Sequence, residues 1–184
     1  MIGNSATAWG AVSRFLHWVA AVVIVVLVAH GWWMTEFAPR DARIAHYAWH
    51  ASVGYALLAL MFARLFWRLG NVVPGLPAMY AWERAASATG HWLLYALIFA
   101  AAFTGWALSG TLRQPLDSVF GLFRIPPIVT SQDRALHGIL ESSHAVVAWT
   151  LAVLVVAHVV AAVWHLVVRK DGVMQRMLRS APQP

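Results

Sequence analysis

Cysteine is absent from the 184 residues. Its absence excludes disulfides, iron–sulfur clusters held on thiolates, and haem attached through a Cys-x-x-Cys-His motif. Charge is also scarce. Asp, Glu, Lys and Arg make up 11% of the chain and hydrophobic residues 61%, whereas ordinary soluble domains are about 25% charged. Such a chain leaves little outside a bilayer. Acids are the scarcer sign, seven against thirteen Lys and Arg, giving a formal charge of +6. In a soluble protein that excess would raise nucleic acid as a partner. Here the basic residues flank apolar runs, so they read as topology signals and contacts to lipid head groups, and no nucleic-acid partner is expected. There is no internal repeat, low-complexity tract or second domain, and residues 1–184 read as a single integral membrane domain.

What is present is a set of long apolar runs. A membrane helix needs roughly 20 such residues. Four runs qualify, at about residues 15–34, 46–69, 91–112 and 144–168. The first is longer than the apolar region of a signal peptide, about 7–15 residues. It also ends in Gly31-Trp32-Trp33-Met34, with tryptophans where an interface belt sits, so it is expected to be retained. Between the second and third runs, Pro74, Gly75 and Pro77 break helix. Residues 113–143 form the longest connection, and its Phe120-Gly121-Leu122-Phe123 is suited to the membrane surface. The fold class is all-α, a four-helix transmembrane bundle.

Four spans put both termini and the 70–88 loop on one side. That side carries Arg14, Arg64, Arg68, Arg84, Arg169, Lys170, Arg176 and Arg179. The other carries Arg40, Arg43, Arg113, Arg124 and Arg134. By the positive-inside rule the eight-to-five split predicts cytoplasmic termini.

The fourth run holds His144, His158 and His165 but no Asp, Glu, Lys or Arg. At 100° per residue, His144 and His158 differ by about 40° and His165 by about 20° more, so all three share one stripe. His144 and His158 lie about 21 Å apart along the axis, near opposite edges of a ~30 Å apolar slab. Imidazoles at such depths mark functional sites. The alternation of helix direction matches His17 with His158 on the cytoplasmic half and His50 with His144 on the periplasmic half. Each pair comes from two helices, as axial ligation of a haem iron by two imidazoles requires. The bland alternative is histidines hydrogen-bonded within the bundle or lying among head groups. His46, four residues before His50, shares its face and rivals it as a ligand. Zinc is disfavoured, because the residues between them are Tyr-Ala-Trp, without the Glu of a zinc-protease motif.

His30 lies about 140° around its helix from His17 and reads as interfacial. His137 reads as solvated, in or beside the loop. His91 opens the third run at the cytoplasmic edge and His165 ends the stripe. They read as interfacial, or as groups that hydrogen-bond a quinone carbonyl or a haem propionate. Arg14, Arg64 and Arg68 share that edge as topology anchors or, through the guanidinium fork, as propionate partners.

At these residues the chain resembles the bacterial cytochrome b561 family of small dihaem membrane cytochromes. The matching pieces are Arg14-Phe-Leu-His17-Trp18, His50-Ala-Ser-Val-Gly54, Ala63-Arg64-Leu-Phe-Trp-Arg68, Gly90-His91-Trp-Leu-Leu-Tyr95, Thr104-Gly105-Trp106, Phe120-Gly-Leu-Phe123, His144, His158, His165 and Asp171-Gly-Val-Met-Gln-Arg176-Met177. They run in order over nearly the whole chain. The resemblance implies four helices, two haem b groups with ligands at His17, His50, His144 and His158, and electron exchange with ubiquinone in the region of His165. It also implies a multi-pass protein of the bacterial inner membrane, in contact with lipid and the quinone pool. Stand-alone relatives resemble superoxide oxidase, which passes an electron from periplasmic superoxide through the haems to quinone.

Three functions follow as expectations to be separated. The first is a self-contained electron-transfer enzyme, as a monomer or homo-oligomer. The second is a cytochrome b anchor carrying electrons for a larger dehydrogenase or hydrogenase. The third is a non-redox membrane protein with structural histidines. The short connections favour the first over the second.

Overall fold

The structure is a computed structural model and describes residues 1–75 and 80–178. Pro77 among the helix breakers and Arg179 in the charge count lie outside these residues. Four helices are long and apolar enough to cross a membrane: α1 (Ala11–Glu36), α2 (Arg43–Leu69), α3 (Ala81–Ser109) and α4 (Arg134–Trp164). The all-α class and the four spans are those the apolar runs predict. At 1.5 Å per residue these helices are about 39–47 Å long, more than the ~30 Å of hydrocarbon. An apolar run therefore marks only the part of a helix that lies in lipid. The third and fourth helices begin at Ala81 and Arg134, ten residues ahead of His91 and His144.

Polar residues set those earlier starts. The Tyr80 N–H donates to Glu83 Oε2 at 2.9 Å, half of a capping box at the head of α3. The Ala135 N–H donates to Asp133 Oδ1 at 2.8 Å, an aspartate cap on α4. At its far end α4 widens into a π-helical turn, His165–Arg169. Lys170 (φ 51°) and Gly172 (φ 81°) then turn the chain into the short α5 (Gln175–Leu178).

The connection between α3 and α4 holds a two-stranded antiparallel hairpin, β1 (Ser118–Val119) and β2 (Phe123–Arg124), with Val119 opposite Phe123. Phe120 (φ 49°) and Gly121 (φ 75°) are both left-handed, and the Leu122 N–H returns to Val119 O at 2.9 Å. This is the type I′ geometry that suits a tight hairpin. The tip exposes Phe120, Leu122 and Phe123.

The chain packs as two compact units. The first comprises Met1–Ala21, Leu60–Tyr95 and Val153–Pro184, and the second Val22–Ala59 and Ala96–Ala152. In the first, Ala8, Ala20, Met61 and Tyr95 are buried. Asn4 ties its leading segment down: Nδ2 donates to Val72 O at 2.9 Å, and Oδ1 accepts from the Gly10 N–H and the Ser13 hydroxyl. In the second, Ile24, Leu27, Tyr55, Leu57, Leu58, Ile98, Ala107, Val119 and Leu151 are buried. There Tyr55 Oη donates to Leu116 O at 3.2 Å, and the Phe120 N–H donates to Ser52 Oγ at 3.1 Å, so α2 holds the hairpin. Outward faces carry valines such as Val146, Val153, Val156 and Val160, all exposed, as a lipid-facing surface requires.

Candidate functional site

Each unit gathers histidines from different helices. In the second unit, His50 of α2 and His144 of α4 face each other with ring centroids 6.2 Å apart and planes at 88°. The His144 Nδ1 is 3.0 Å from Ala101 O and 3.1 Å from Thr104 Oγ1. A carbonyl can only accept, so the proton sits on Nδ1 and the Nε2 lone pair is free to bind a metal. His50 differs, because its buried Nδ1 has no hydrogen-bond partner. Glycines make room for both rings. A Cβ at Gly105 would lie 3.0 Å from His144 Cε1, and one at Gly31 would lie 3.3 Å from His50 Cε1.

His30 and His46 belong to the same cluster. The His30 ring stacks on His50 at 5.9 Å and 19°. Its Nε2 lies 3.3 Å from His46 Nδ1, and Trp49 packs on it at 4.6 Å. The sequence reading of His30 as interfacial did not assign it these contacts. Its 140° offset from His17 turns it away from that residue and toward α2. His137 lies beside the loop, in the first turn of α4, and is half-buried with its Nδ1 2.7 Å from Thr111 Oγ1.

In the first unit, His17 of α1 and His158 of α4 face each other at 6.3 Å and 75°. His91 of α3 is not at a helix start. It lies one helical section in, its ring 5.4 Å from that of His158 and its Nδ1 2.6 Å from Ser87 O. Arg64 reaches both His17 and Tyr95. Its Nη2 donates to His17 Nδ1 at 3.1 Å and its Nε to Tyr95 Oη at 3.0 Å, while the buried Nη1 has no partner. Since arginine only donates, this contact puts the His17 proton on Nε2. Ligation through Nε2 requires Arg64 to leave Nδ1. Arg68 is held over the rings of Trp9 and Trp92 at 5.9 and 5.8 Å, and Arg14 Nη1 donates to Trp9 O at 3.1 Å. His165, at the start of the π turn, pairs its Nδ1 with Asp171 Oδ2 at 2.6 Å. Beside it Arg169 bridges to Glu83 at 3.1 Å.

Asp171, Tyr95 and Thr104 are contacts that sequence reasoning missed. Asp171 lies six residues past His165, in a helix-ending Asp-Gly that gives some signal. A buried Tyr or Thr on an apolar face gives none.

These arrangements pass a simple test of fit. Metal–imidazole bonds of about 2.0 Å, plus about 1.1 Å from nitrogen to ring centre, put two imidazoles on opposite sides of one ion about 6.2 Å apart. The 6.2 and 6.3 Å pairs match that spacing, while His91–His158 and His30–His46, both at 5.4 Å, are too close for it. Two opposed donors suit an iron whose other four ligands come from a porphyrin. Among the described residues no group of three or more His, Cys, Asp or Glu is placed to hold an ion unaided.

Comparison with known proteins leads to the same chemistry. The family model described as prokaryotic cytochrome b561 matches residues 8–180. The chain is 32% identical to "Cytochrome b561 homolog 2" of Escherichia coli (strain K12), over 95% of this chain and 93% of the relative. It is 29% identical to "Probable superoxide oxidase CybB" of Yersinia pestis, over 89% and 91%. It is 26% identical to "Cytochrome b561 homolog 1" of Escherichia coli (strain K12), over 89% and 93%. Four membrane-length helices, imidazoles opposed at the width of an iron and a match over almost the whole chain make this protein a member of the prokaryotic cytochrome b561 family, the multi-pass membrane cytochromes that bind b-type haem.

Proposed function

We propose that the chain is a dihaem cytochrome that carries single electrons across the bacterial inner membrane, from superoxide on the periplasmic side to ubiquinone. The observation that carries this reading is the pair of opposed imidazoles in each unit, at 6.2 and 6.3 Å. His50 and His144 would hold one haem b, and His17 and His158 the other. The 5.4 Å spacing of His91 from His158 argues for His17 as the partner, and the engagement of His46 by His30 argues for His50 over its rival. Haem supplies a one-electron iron couple.

The chain's own residues do the rest. Ala101 and Thr104 fix the His144 tautomer. Arg64, whose buried Nη1 has no partner, would pair with a haem propionate, a charge-assisted bond that suits guanidinium geometry. Arg14 and Arg68, already engaged by Trp9 and Trp92, anchor that edge and add positive field. Asp171 holds Nδ1–H of His165, which orients the ring and leaves the Nε2 lone pair to accept from the hydroxyl of a quinol, and His91 borders the same region. The superoxide donor is supported by the name of the Yersinia pestis relative, and Arg113, Arg124 and Arg134 on that side are compatible with an anion, although five acids bring the face to net zero. The eight-to-five charge split supports cytoplasmic termini.

Haem content by pyridine hemochromogen assay tests the ligand assignment. Wild type should give two haems per chain, and His17→Ala, His158→Ala, His50→Ala and His144→Ala one each. Two haems retained in either partner of a pair would remove that pair.

A further inference from the structure

The ligand assigned to each haem needs something to hold its ring plane, and metal-binding histidines usually do this by donating the second ring N–H to a carbonyl or carboxylate. His144 has such a bond, to Ala101 O. His50 has none, its Nδ1 being buried and unpartnered. What His50 has is a flat neighbour. The His30 ring lies nearly parallel to it, 19° between planes and 5.9 Å between centroids. Trp49 closes over His30 at 4.6 Å, and His46 Nδ1 engages His30 Nε2 at 3.3 Å. The adjacent Gly31 brings α1 close, since even a methyl there would crowd His50 Cε1 at 3.3 Å.

We infer that His30 is a positioning residue for the second-unit haem: its ring, fixed by His46 and Trp49, is the platform that sets the plane of His50 in place of the missing Nδ1 hydrogen bond. Offset stacking of rings is an attraction of the same order as a net hydrogen bond, so one can stand in for the other. The inference explains why α1 and α2 bring two extra imidazoles to a site that needs one from α2. It rests on the proposed assignment of His50 and His144 as ligands.

The test uses purified full-length protein in detergent, with His30→Ala, His30→Phe and the control His50→Ala. Phenylalanine keeps a flat ring and discards both nitrogens. Low-spin EPR of the oxidised protein reads the angle between axial imidazole planes, and a redox titration reads the potential of each haem. His30→Ala is expected to shift the signal and potential of the second-unit haem, or to lose that haem, and to leave the other unchanged. His30→Phe is expected to restore both readouts toward wild type. Two results would overturn the platform: His30→Ala spectra and potentials identical to wild type, or His30→Phe no closer to wild type than His30→Ala. If His50→Ala instead keeps two haems per chain, the ligand assignment is what has failed.

Discussion

Close packing on a ring is the control exerted by single residues in this molecule. Gly105 lies on α3 where a Cβ would meet His144 Cε1 at 3.0 Å and Nδ1 at 3.3 Å. Contacts that tight require the ring to give by a few tenths of an ångström, and the Ala101 bond leaves His144 little freedom to retreat. Gly105→Ala is therefore expected to move the ring or break that bond, reducing occupancy of the haem proposed for His50 and His144 at least severalfold while the protein stays helical. Haem-to-protein ratio with far-UV circular dichroism checks both parts. Tyr95 is a second case. Its hydroxyl accepts from Arg64 Nε in a buried place. Tyr95→Phe leaves that donor unpaired, at about 1–3 kcal/mol, visible as a lower melting temperature of the purified protein. The histidines at these sites were legible in the sequence, because an imidazole in an apolar run stands out and helical arithmetic gives its depth. Gly105, Tyr95 and Thr104 were not. Nothing in a one-dimensional pattern tells a glycine that clears room for a ring from one that eases a helix contact. The partners of His30, His46 and His50 on α2, were not legible either, because its angle was measured only against His17 on its own helix.

Elements in this chain are longer than the signals that reveal them. The apolar runs gave the number and order of the four helices, since hydrocarbon demands satisfied backbone bonds and helices supply them. Their ends depended on caps that lie in polar sequence. Asp133 caps α4 eleven residues before His144. Asp133→Ala is expected to fray the first turn, at a cost of about 1 kcal/mol, read as faster amide exchange over residues 134–138 with exchange near His158 unchanged. The other end of α4 depends on Asp171. Burial pushes its carboxyl up, but hydrogen bonds from His165 and the Val173 N–H, with the charges of His165 and Arg169, outweigh this and hold it below the usual carboxylate range. A group depressed in the folded state stabilises above its unfolded pKa, about 3.9, and loses that contribution as pH falls through its folded value. The turn after α4 should therefore hold at neutral pH and loosen only below about pH 4. In Asp171→Asn it should show no such acid transition. Limited proteolysis of residues 165–178 across pH distinguishes the two.

On the proposed function the whole molecule is a wire with an entry and an exit. On α4 the two proposed ligand positions, His144 and His158, are 14 residues apart, about 21 Å along a helix, which is most of the ~30 Å apolar slab. Neither proposed haem alone would then span the membrane. If superoxide delivers its electron at the haem of His50 and His144, and quinone collects it near His165, removing the haem of His17 and His158 should cut the wire without closing its entry. In His158→Ala, anaerobic stopped-flow mixing with superoxide should still reduce the remaining haem at a rate close to that of wild type. Ubiquinone reduction should fall by at least tenfold. His165→Ala should leave both haems in place and both reducible, and slow only the quinone step. The reverse pattern, with His158→Ala blocking haem reduction but sparing quinone reduction, would place the donor at the opposite end. Unchanged quinone kinetics in both variants would mean that electrons leave by another route, and the assignment of His165 to the exit would fall with it.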